Sequence, residues 1–178
     1  MRRSIDDSFL ALRQKVNEWA TDHSRPDIWV FVYPPEWEAA MLARFPSFAK
    51  SCADAGWPVA LEDVGQGFLL EAQQRRGFVD RLIEMEQASP ASVLHDLGVV
   101  AGRYISRVLA APLNPPSVCR ILVNTGALGT FVSYSAITNE LYGDVPSPSV
   151  LAFPGEGDDR SLNLLRLRVD TNYRVPRI

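Results

Sequence analysis

The sequence has few of the residues from which metal sites and disulfide frameworks are built. Its 178 residues include two cysteines, two histidines and two lysines. Zinc sites need several Cys and His side chains at close spacing, and two of each, far apart along the chain, do not provide it. Cys52 and Cys119 each lie within an apolar pattern. This predicts two buried free thiols in a cytoplasmic protein.

Long apolar segments are also absent. A membrane-spanning helix needs roughly 18 apolar residues in succession, and no segment approaches that length. The basic start of the chain runs into Asp6 and Asp7 instead of an apolar region, so the sequence predicts no secretory signal. With 47% hydrophobic and 22% charged residues, the composition excludes intrinsic disorder and predicts one globular domain over residues 1–178.

Positive charge is too scarce for the whole chain to favour nucleic acid, because the net charge is −3. The last part of the chain is nevertheless locally basic. Its arginines are Arg160, Arg166, Arg168, Arg174 and Arg177. Arginine-rich codon usage explains them most simply, and nucleic-acid contact through this segment stays open as an alternative.

Helical and extended patterns alternate along the chain. Helices are predicted over 4–25, 36–56, 68–87, 91–110 and from about 130 to 141, and strands over 28–33, 58–61, 118–123, 150–153 and 165–170. The last strand alternates strictly, which is typical of a sheet edge. The order predicts an α/β fold: a single-domain, Rossmann-like three-layer sandwich with a mainly parallel sheet of about four to six strands and helices on both faces. The N-terminal helix within residues 1–25 is expected to pack on the sheet.

The glycines after the third predicted strand are the clearest candidate for a ligand site. In open α/β sheets, ligands usually bind beyond the carboxyl ends of the strands. Gly126, Gly129 and Thr130 would place two glycines and a hydroxyl at a helix N-terminus, where backbone N–H groups can hold an anion. The lysine of a P-loop is missing, and so is the dinucleotide fingerprint. A tight strand-to-helix turn is the simpler explanation of these glycines.

Acidic residues provide a second alternative. Glu156, Asp158 and Asp159 could join Glu62 and Asp63 around a magnesium ion, since carboxylates suit hard cations. A solvated acidic loop is the commoner structure for such a cluster. Neither histidine belongs to a recognisable arrangement with Ser or Cys, and no nucleophile elbow is present. The sequence therefore predicts no catalytic residue, no bound metal and no cofactor.

Several short segments resemble one bacterial family. Phe153-Pro154-Gly155, Ser161-Leu162-Asn163-Leu164 and Asn172-Tyr173-Arg174 resemble the closing signature of the BrxB family of bacteriophage exclusion (BREX) systems, formerly a domain of unknown function. The segment 31–36, which contains Tyr33 and Glu36, and the Thr125-Gly126 turn fit the same family. The resemblance extends from about residue 28 to the end of the chain.

This resemblance implies a cytoplasmic component of a multi-gene antiphage defence system. It also implies a partner, the PglZ protein of the alkaline-phosphatase superfamily, together with other BREX components. The family supplies no catalytic residues. The candidate binding residues are Tyr33, Glu36, Thr125, Gly126, Gly129, Thr130, Gly155, Asn172, Tyr173 and Arg174. The simpler structural role for the last two is that Tyr173 packs and Arg174 pairs with a carboxylate such as Glu36.

Three functions follow from these patterns. The favoured one is a non-catalytic interaction subunit that binds a larger PglZ-like protein. The first alternative is a nucleotide- or phosphate-binding α/β module, a degenerate NTPase-like or metal-dependent enzyme with its site at the strand ends. The second alternative is nucleic-acid contact through the arginine-rich end.

Overall fold

The structure is a computed structural model that describes residues 4–21, 27–75, 77–113, 117–158, 161–164, 168–171 and 175–178. The helices are α1 (Ile5–Thr21), α2 (Glu38–Asp54), α3 (Val64–Gln74), α4 (Phe78–Ala88), α5 (Pro90–Ala110) and α6 (Tyr134–Glu140). The strands are β1 (Ile28–Tyr33), β2 (Val59–Asp63), β3 (Cys119–Val123), β4 (Ser149–Asp158), β5 (Ser161–Leu164) and β6 (Arg168–Thr171). Short 3₁₀ helices span Pro35–Trp37 and Thr125–Leu128.

Four strands form an all-parallel sheet in the order β2-β3-β4-β1. β4 continues beyond the parallel part, where it pairs antiparallel with β5, and β5 pairs antiparallel with β6. The free edge of β1 is covered by the last residues of the chain. The Val30 N–H donates to the Pro176 carbonyl at 3.0 Å, and the Ile178 N–H donates to the Val30 carbonyl at 3.0 Å.

Helices cover both faces of this sheet, because the parallel strands are apolar on both sides. In β1, Phe31 and Tyr33 join the core formed with α1 and α2. Ile28 and Val30 point the other way and join the core formed with α3, α5 and α6. The predicted fold class is confirmed: this is a single-domain α/β sandwich of three layers, Rossmann-like in its parallel sheet.

The α1–α2 layer is built on aromatic rings. The Phe9 ring lies 5.2 Å from that of Phe45, 5.3 Å from that of Phe48 and 6.2 Å from that of Phe31. α1 begins at a capping box, in which the Asp7 N–H donates to the Ser4 Oγ at 3.1 Å and the Ser4 N–H donates to the Asp7 carboxylate at 3.0 Å. Through the contact between Phe9 and Phe31, α1 packs on the sheet.

The opposite layer contains a buried arginine. Arg120 in β3 is 3% exposed, and its guanidinium donates to the carbonyls of Leu109 at 3.3 Å and Ala111 at 3.0 Å. These carbonyls belong to the C-terminal end of α5, which has unsatisfied acceptors and a negative dipole end. The arginine thus fixes α5 to the sheet. Cys52 and Cys119 are both buried and free, as predicted, and burial raises the pKa of the Cys119 thiol to about 12.

Three elements differ from the sequence-based expectation. The helix predicted over 68–87 is two helices, α3 and α4, separated near Gly77, which has φ 71°. α3 begins at Val64 because the Asp63 carboxylate accepts the Gln66 N–H at 2.8 Å. β4 extends to Asp158 and pairs with the unpredicted β5.

In the described part of the chain, no helix has the length and apolarity to cross a membrane.

Candidate functional site

The carboxyl ends of β1, β3 and β4 meet where chain connections leave the sheet on opposite faces. After β1 the chain passes to α2 in one layer, and after β3 it passes to α6 in the other. β4 lies between these two strands. In an open parallel sheet, this divergence of connections creates the crevice in which ligands bind.

Tyr33 and Glu38 form a hydrogen-bonded pair at this edge. Tyr33 is 1% exposed, and its hydroxyl donates to the Glu38 Oε2 at 2.5 Å. Burial raises the pKa of the Glu38 carboxyl, and the nearby Asp63 raises it further, against the opposing effect of the Tyr33 hydrogen bond. Burial and then the contact with Glu38 also raise the pKa of Tyr33. Tyr33 is therefore held as a neutral donor.

Asn124 connects the ends of β2 and β3. It has φ 58°, a left-handed conformation that asparagine tolerates better than most residues. Its amide Nδ2 donates to the Asp63 Oδ1 at 3.0 Å. Gly65 makes room for this contact, since a Cβ there would lie 2.5 Å from the Asn124 Nδ2. The polar side chains at these two strand ends therefore satisfy each other.

Thr125 and Gly126 both pack against β4. Thr125 is fully buried, and its hydroxyl donates to the Ala152 carbonyl at 2.6 Å. Gly126 lies under the Pro154 ring, because a Cβ on it would be 2.9 Å from the Pro154 Cγ and 3.8 Å from a Glu38 carboxylate oxygen. The segment is a four-residue 3₁₀ helix. The Thr125 hydroxyl is thus engaged. A carboxyl group lies near Gly126, where the anion site predicted for Gly126, Gly129 and Thr130 would need positive charge.

The other candidate residues at this end are dispersed. Gly129 is buried and Thr130 is exposed in the turn that follows the 3₁₀ helix, and α6 begins only at Tyr134. Glu36 is exposed, and Glu38 occupies the position near Tyr33 in its place. The expectation that Gly126 to Thr130 open a helix running to about 141 is therefore wrong, since Ser133 caps α6 instead.

Gly155 has a structural reason to be glycine. A Cβ there would lie 2.6 Å from the Asn163 carbonyl oxygen and 2.8 Å from the Phe153 ring. This close approach lets β4 turn from its parallel neighbours into the pairing with β5. The remaining candidates, Asn172, Tyr173 and Arg174, lie outside the described residues.

The acidic residues proposed for magnesium are not brought together within the described structure. Glu156 is exposed on β4, whereas Glu62 and Asp63 end β2 and Asp63 is bound to Asn124. Asp159 and the side chain of Asp158 lie outside the described part. Across the described ranges, no three His, Cys, Asp or Glu side chains form a group that could hold a metal ion.

A surface that the sequence reasoning missed lies on α3, α4 and α5. Among the described residues, six of the eight large apolar side chains classed as exposed belong to these helices. We call this set the α3–α5 apolar surface; it consists of Leu69, Leu70, Val79, Ile83, Leu94 and Val99. The clue in the sequence is that apolar residues in 68–87 fall on more than one helical face.

α4 is the least buried element of this surface. None of its residues with a described side chain is fully buried, and Phe78, Leu82 and Met85 are only half-buried against α5. A cavity of about 190 Å³ remains between the two helices, lined by these three residues together with Arg81, Asp96, Val99 and Val100. Ile83 is 51% exposed and Leu94 is 55% exposed. The apolar part of α4 is therefore incompletely covered.

Comparison of the chain with known protein families, with curated proteins and with solved structures finds no match.

Proposed function

We propose that this protein is a non-catalytic interaction subunit of a BREX-type antiphage defence system, and that it binds a larger PglZ-like protein of the alkaline-phosphatase superfamily in the bacterial cytoplasm. The observation that carries the proposal is the α3–α5 apolar surface. The resemblance of segments such as 31–36 and 153–155 to the BrxB family supports the identity of the partner.

Burial of the α3–α5 apolar surface against a partner would stabilise the complex. Fully burying a Leu, Ile or Val side chain contributes about 1.5–3 kcal/mol relative to leaving it exposed. Six such side chains lie about half exposed on three consecutive helices. Large exposed apolar patches on a folded protein mark interaction sites, ligand-binding grooves or aggregation-prone surfaces. An isolated helix of eleven residues, such as α4, is only marginally stable in water. A partner that packs on its exposed face would therefore stabilise it.

Charge indicates the chemistry of the partner surface. α4 carries exposed Asp80, Glu84 and Glu86 against one exposed arginine, Arg81. A partner that covers Val79 and Ile83 would therefore be apolar at its centre and basic at its rim. Complementary rim charges raise the association rate and exclude wrong partners more than they raise affinity.

The strand ends support binding over catalysis as the role of this chain. Tyr33, Asn124 and Thr125 each donate a hydrogen bond to a group of the same chain, and their acceptors are Glu38, Asp63 and the Ala152 carbonyl. In this proposal these residues hold the loops after β1, β2 and β3 in place. The partner binds the α3–α5 apolar surface and not the strand-end crevice.

The test is affinity capture of the PglZ-like protein encoded in the same locus. We expect the double variant Ile83→Glu/Leu94→Glu to reduce capture by roughly tenfold or more, as removal of central apolar contacts does. Tyr142→Glu is the matched control, because Tyr142 is 46% exposed in the turn after α6. Circular dichroism shows that the variants fold.

Two outcomes would overturn the proposal. One is wild-type protein that captures no PglZ-like partner. The other is a folded Ile83→Glu/Leu94→Glu variant that captures the partner as well as the Tyr142→Glu control does.

A further inference from the structure

A second cavity lies on the opposite side of the sheet, between α1 and α2. It has a volume of about 330 Å³ and is lined by Asp6, Phe9, Leu10 and Arg13 of α1 and by Arg44, Ser47, Phe48 and Ser51 of α2. Each helix contributes positions i, i+3, i+4 and i+7, which share one helical face. The cavity therefore follows the seam between the two helices; we call it the α1–α2 groove.

The groove has an apolar floor. The rings of Phe9 and Phe48 lie 5.3 Å apart and are only 6% and 8% exposed. Leu10 stands at the rim and is 57% exposed. Ser47 and Ser51 line the α2 side, and their short side chains leave space that a larger residue would fill. The apolar part of a small molecule therefore fits in the groove, where it would contact the Phe9 and Phe48 rings and the Leu10 side chain.

Positive charge lies above this floor. Arg13 is exposed, and the Arg44 side chain is 46% exposed, with its guanidinium 5.3 Å from the centre of the Phe9 ring. Arg44 also binds the Asp6 carboxylate. A guanidinium binds carboxylate and phosphate groups through parallel hydrogen bonds. The groove therefore already holds one anionic group, supplied by the chain itself.

The Asp6 carboxylate is replaceable. Its side chain is 75% exposed, and ion pairs this exposed to water contribute little to stability. An incoming anion could take its place on Arg44 at small cost and also contact Arg13, which Asp6 does not bind. The serine hydroxyls of Ser47 and Ser51 are further donors on the same wall.

We propose that the α1–α2 groove binds an organic anion, a carboxylate or a phosphate carried on an apolar body. Arg13 and Arg44 hold the anionic group, Phe9, Phe48 and Leu10 contact the apolar body, and Asp6 competes for Arg44 when the groove is empty. This site lies in the other helical layer from the α3–α5 apolar surface and does not depend on the proposed partner.

The test is an NMR titration of the ¹⁵N-labelled full chain with phenyl phosphate, and separately with phenylacetate to distinguish the two anions. We expect saturable shifts of the Ser47 and Ser51 amides with at least one of them. Benzyl alcohol, which lacks the charge, and inorganic phosphate, which lacks the apolar body, should each bind at least tenfold more weakly.

Variants separate a specific site from general attraction. Arg13→Gln/Arg44→Gln should abolish the saturable shifts, whereas the control Arg103→Gln, an exposed arginine on α5, should leave them unchanged. Asp6→Asn should tighten binding several-fold, because it removes the competing carboxylate.

The proposal is overturned by any of four results: no saturable shift with either anion, equal binding of benzyl alcohol, weaker binding by Asp6→Asn, or retained binding in Arg13→Gln/Arg44→Gln. The NMR spectrum of each variant reports directly that the chain is folded.

Discussion

Tyr33, Thr125 and Tyr134 are buried hydroxyl-bearing side chains, and each donates one hydrogen bond at the carboxyl edge of the sheet. Their acceptors are the Glu38 carboxylate, the Ala152 carbonyl and the Thr125 carbonyl, at 2.5, 2.6 and 2.7 Å. Leaving a buried polar group without its partner costs about 1–3 kcal/mol. Tyr33 therefore connects β1 to α2, and Thr125 and Tyr134 connect the 3₁₀ helix after β3 to β4 and to α6.

Protonation of Glu38 makes the stability of the fold depend on pH. Its pKa is raised in the folded state, above an ordinary value of 4.5, chiefly by burial. The folded chain thus holds this proton more tightly than the unfolded chain. The resulting stability is fully present below about pH 4.5 and is lost as the pH rises through the folded pKa.

Glu38→Gln removes this proton and keeps an oxygen that can accept from Tyr33. We therefore expect the stability of the wild type, relative to the variant, to fall as the pH rises above 4.5. Urea denaturation of both proteins between pH 4.5 and pH 8 measures the difference. A difference that is constant over this range would contradict the assignment of the raised pKa to Glu38.

Among the secondary-structure elements, α5 shows how closely helices approach their neighbours. A Cβ on Gly98 would lie 2.5 Å from the backbone oxygen of Phe131, whereas a Cβ on Gly102 would meet only the Ile137 Cδ1, at 3.9 Å. The two glycines are one helical turn apart in the same helix. Gly98 is therefore required by packing, and Gly102 is not.

The pair Gly98→Ala and Gly102→Ala tests this packing. We expect Gly98→Ala to destabilise the fold by about 1–3 kcal/mol, because a backbone oxygen cannot move aside as a flexible side chain can. Gly102→Ala should stabilise it by about 0.5–1 kcal/mol, the usual gain of alanine over glycine inside a helix. Thermal unfolding measures both, and similar effects of the two changes would contradict the close approach at Gly98.

Elements with strong periodicity were predictable from the sequence. The continuous apolar run 28–33 forms β1, a strand covered on both faces, and the apolar residues of α1 from Phe9 to Trp19 are buried at helical spacing. What failed depended on tertiary context. Gly155 and Asn163 indicate β4–β5 pairing only once the two strands are known to be adjacent. The sequence likewise does not show that Glu38, which follows the 3₁₀ turn at 35–37, accepts the Tyr33 hydroxyl.

The candidate site was predicted in part. The carboxyl ends of parallel strands lie at one edge of a sheet, and this rule correctly predicts that Tyr33, Pro154 and Gly126 lie close together. The sequence alone could not show that the Thr125 hydroxyl donates a hydrogen bond to the Ala152 carbonyl, because the two residues are 27 positions apart in the chain. Nor could it show the α3–α5 apolar surface, because exposure of Leu69 or Leu94 depends on which helices pack beside them.

At the scale of the whole molecule, the two helical layers differ in how deeply their helices are buried. The α1–α2 layer closes over Phe31 and Tyr33 with Phe45 and Met41 fully buried. In the other layer, α5 and α6 cover the sheet, and α4 lies on α5 with no fully buried residue among those whose side chains are described. The layer with the less deeply buried helix is the one that we assign to partner binding.

Hydrogen–deuterium exchange of the protein alone and bound to the PglZ-like partner tests this assignment most directly. We expect slower exchange in residues 78–88 and 90–99 of the complex, with the loops at 34–37 and 124–129 unchanged. Slower exchange confined to those strand-end loops, with α4 unchanged, would contradict the account and return the binding function to the strand-end crevice.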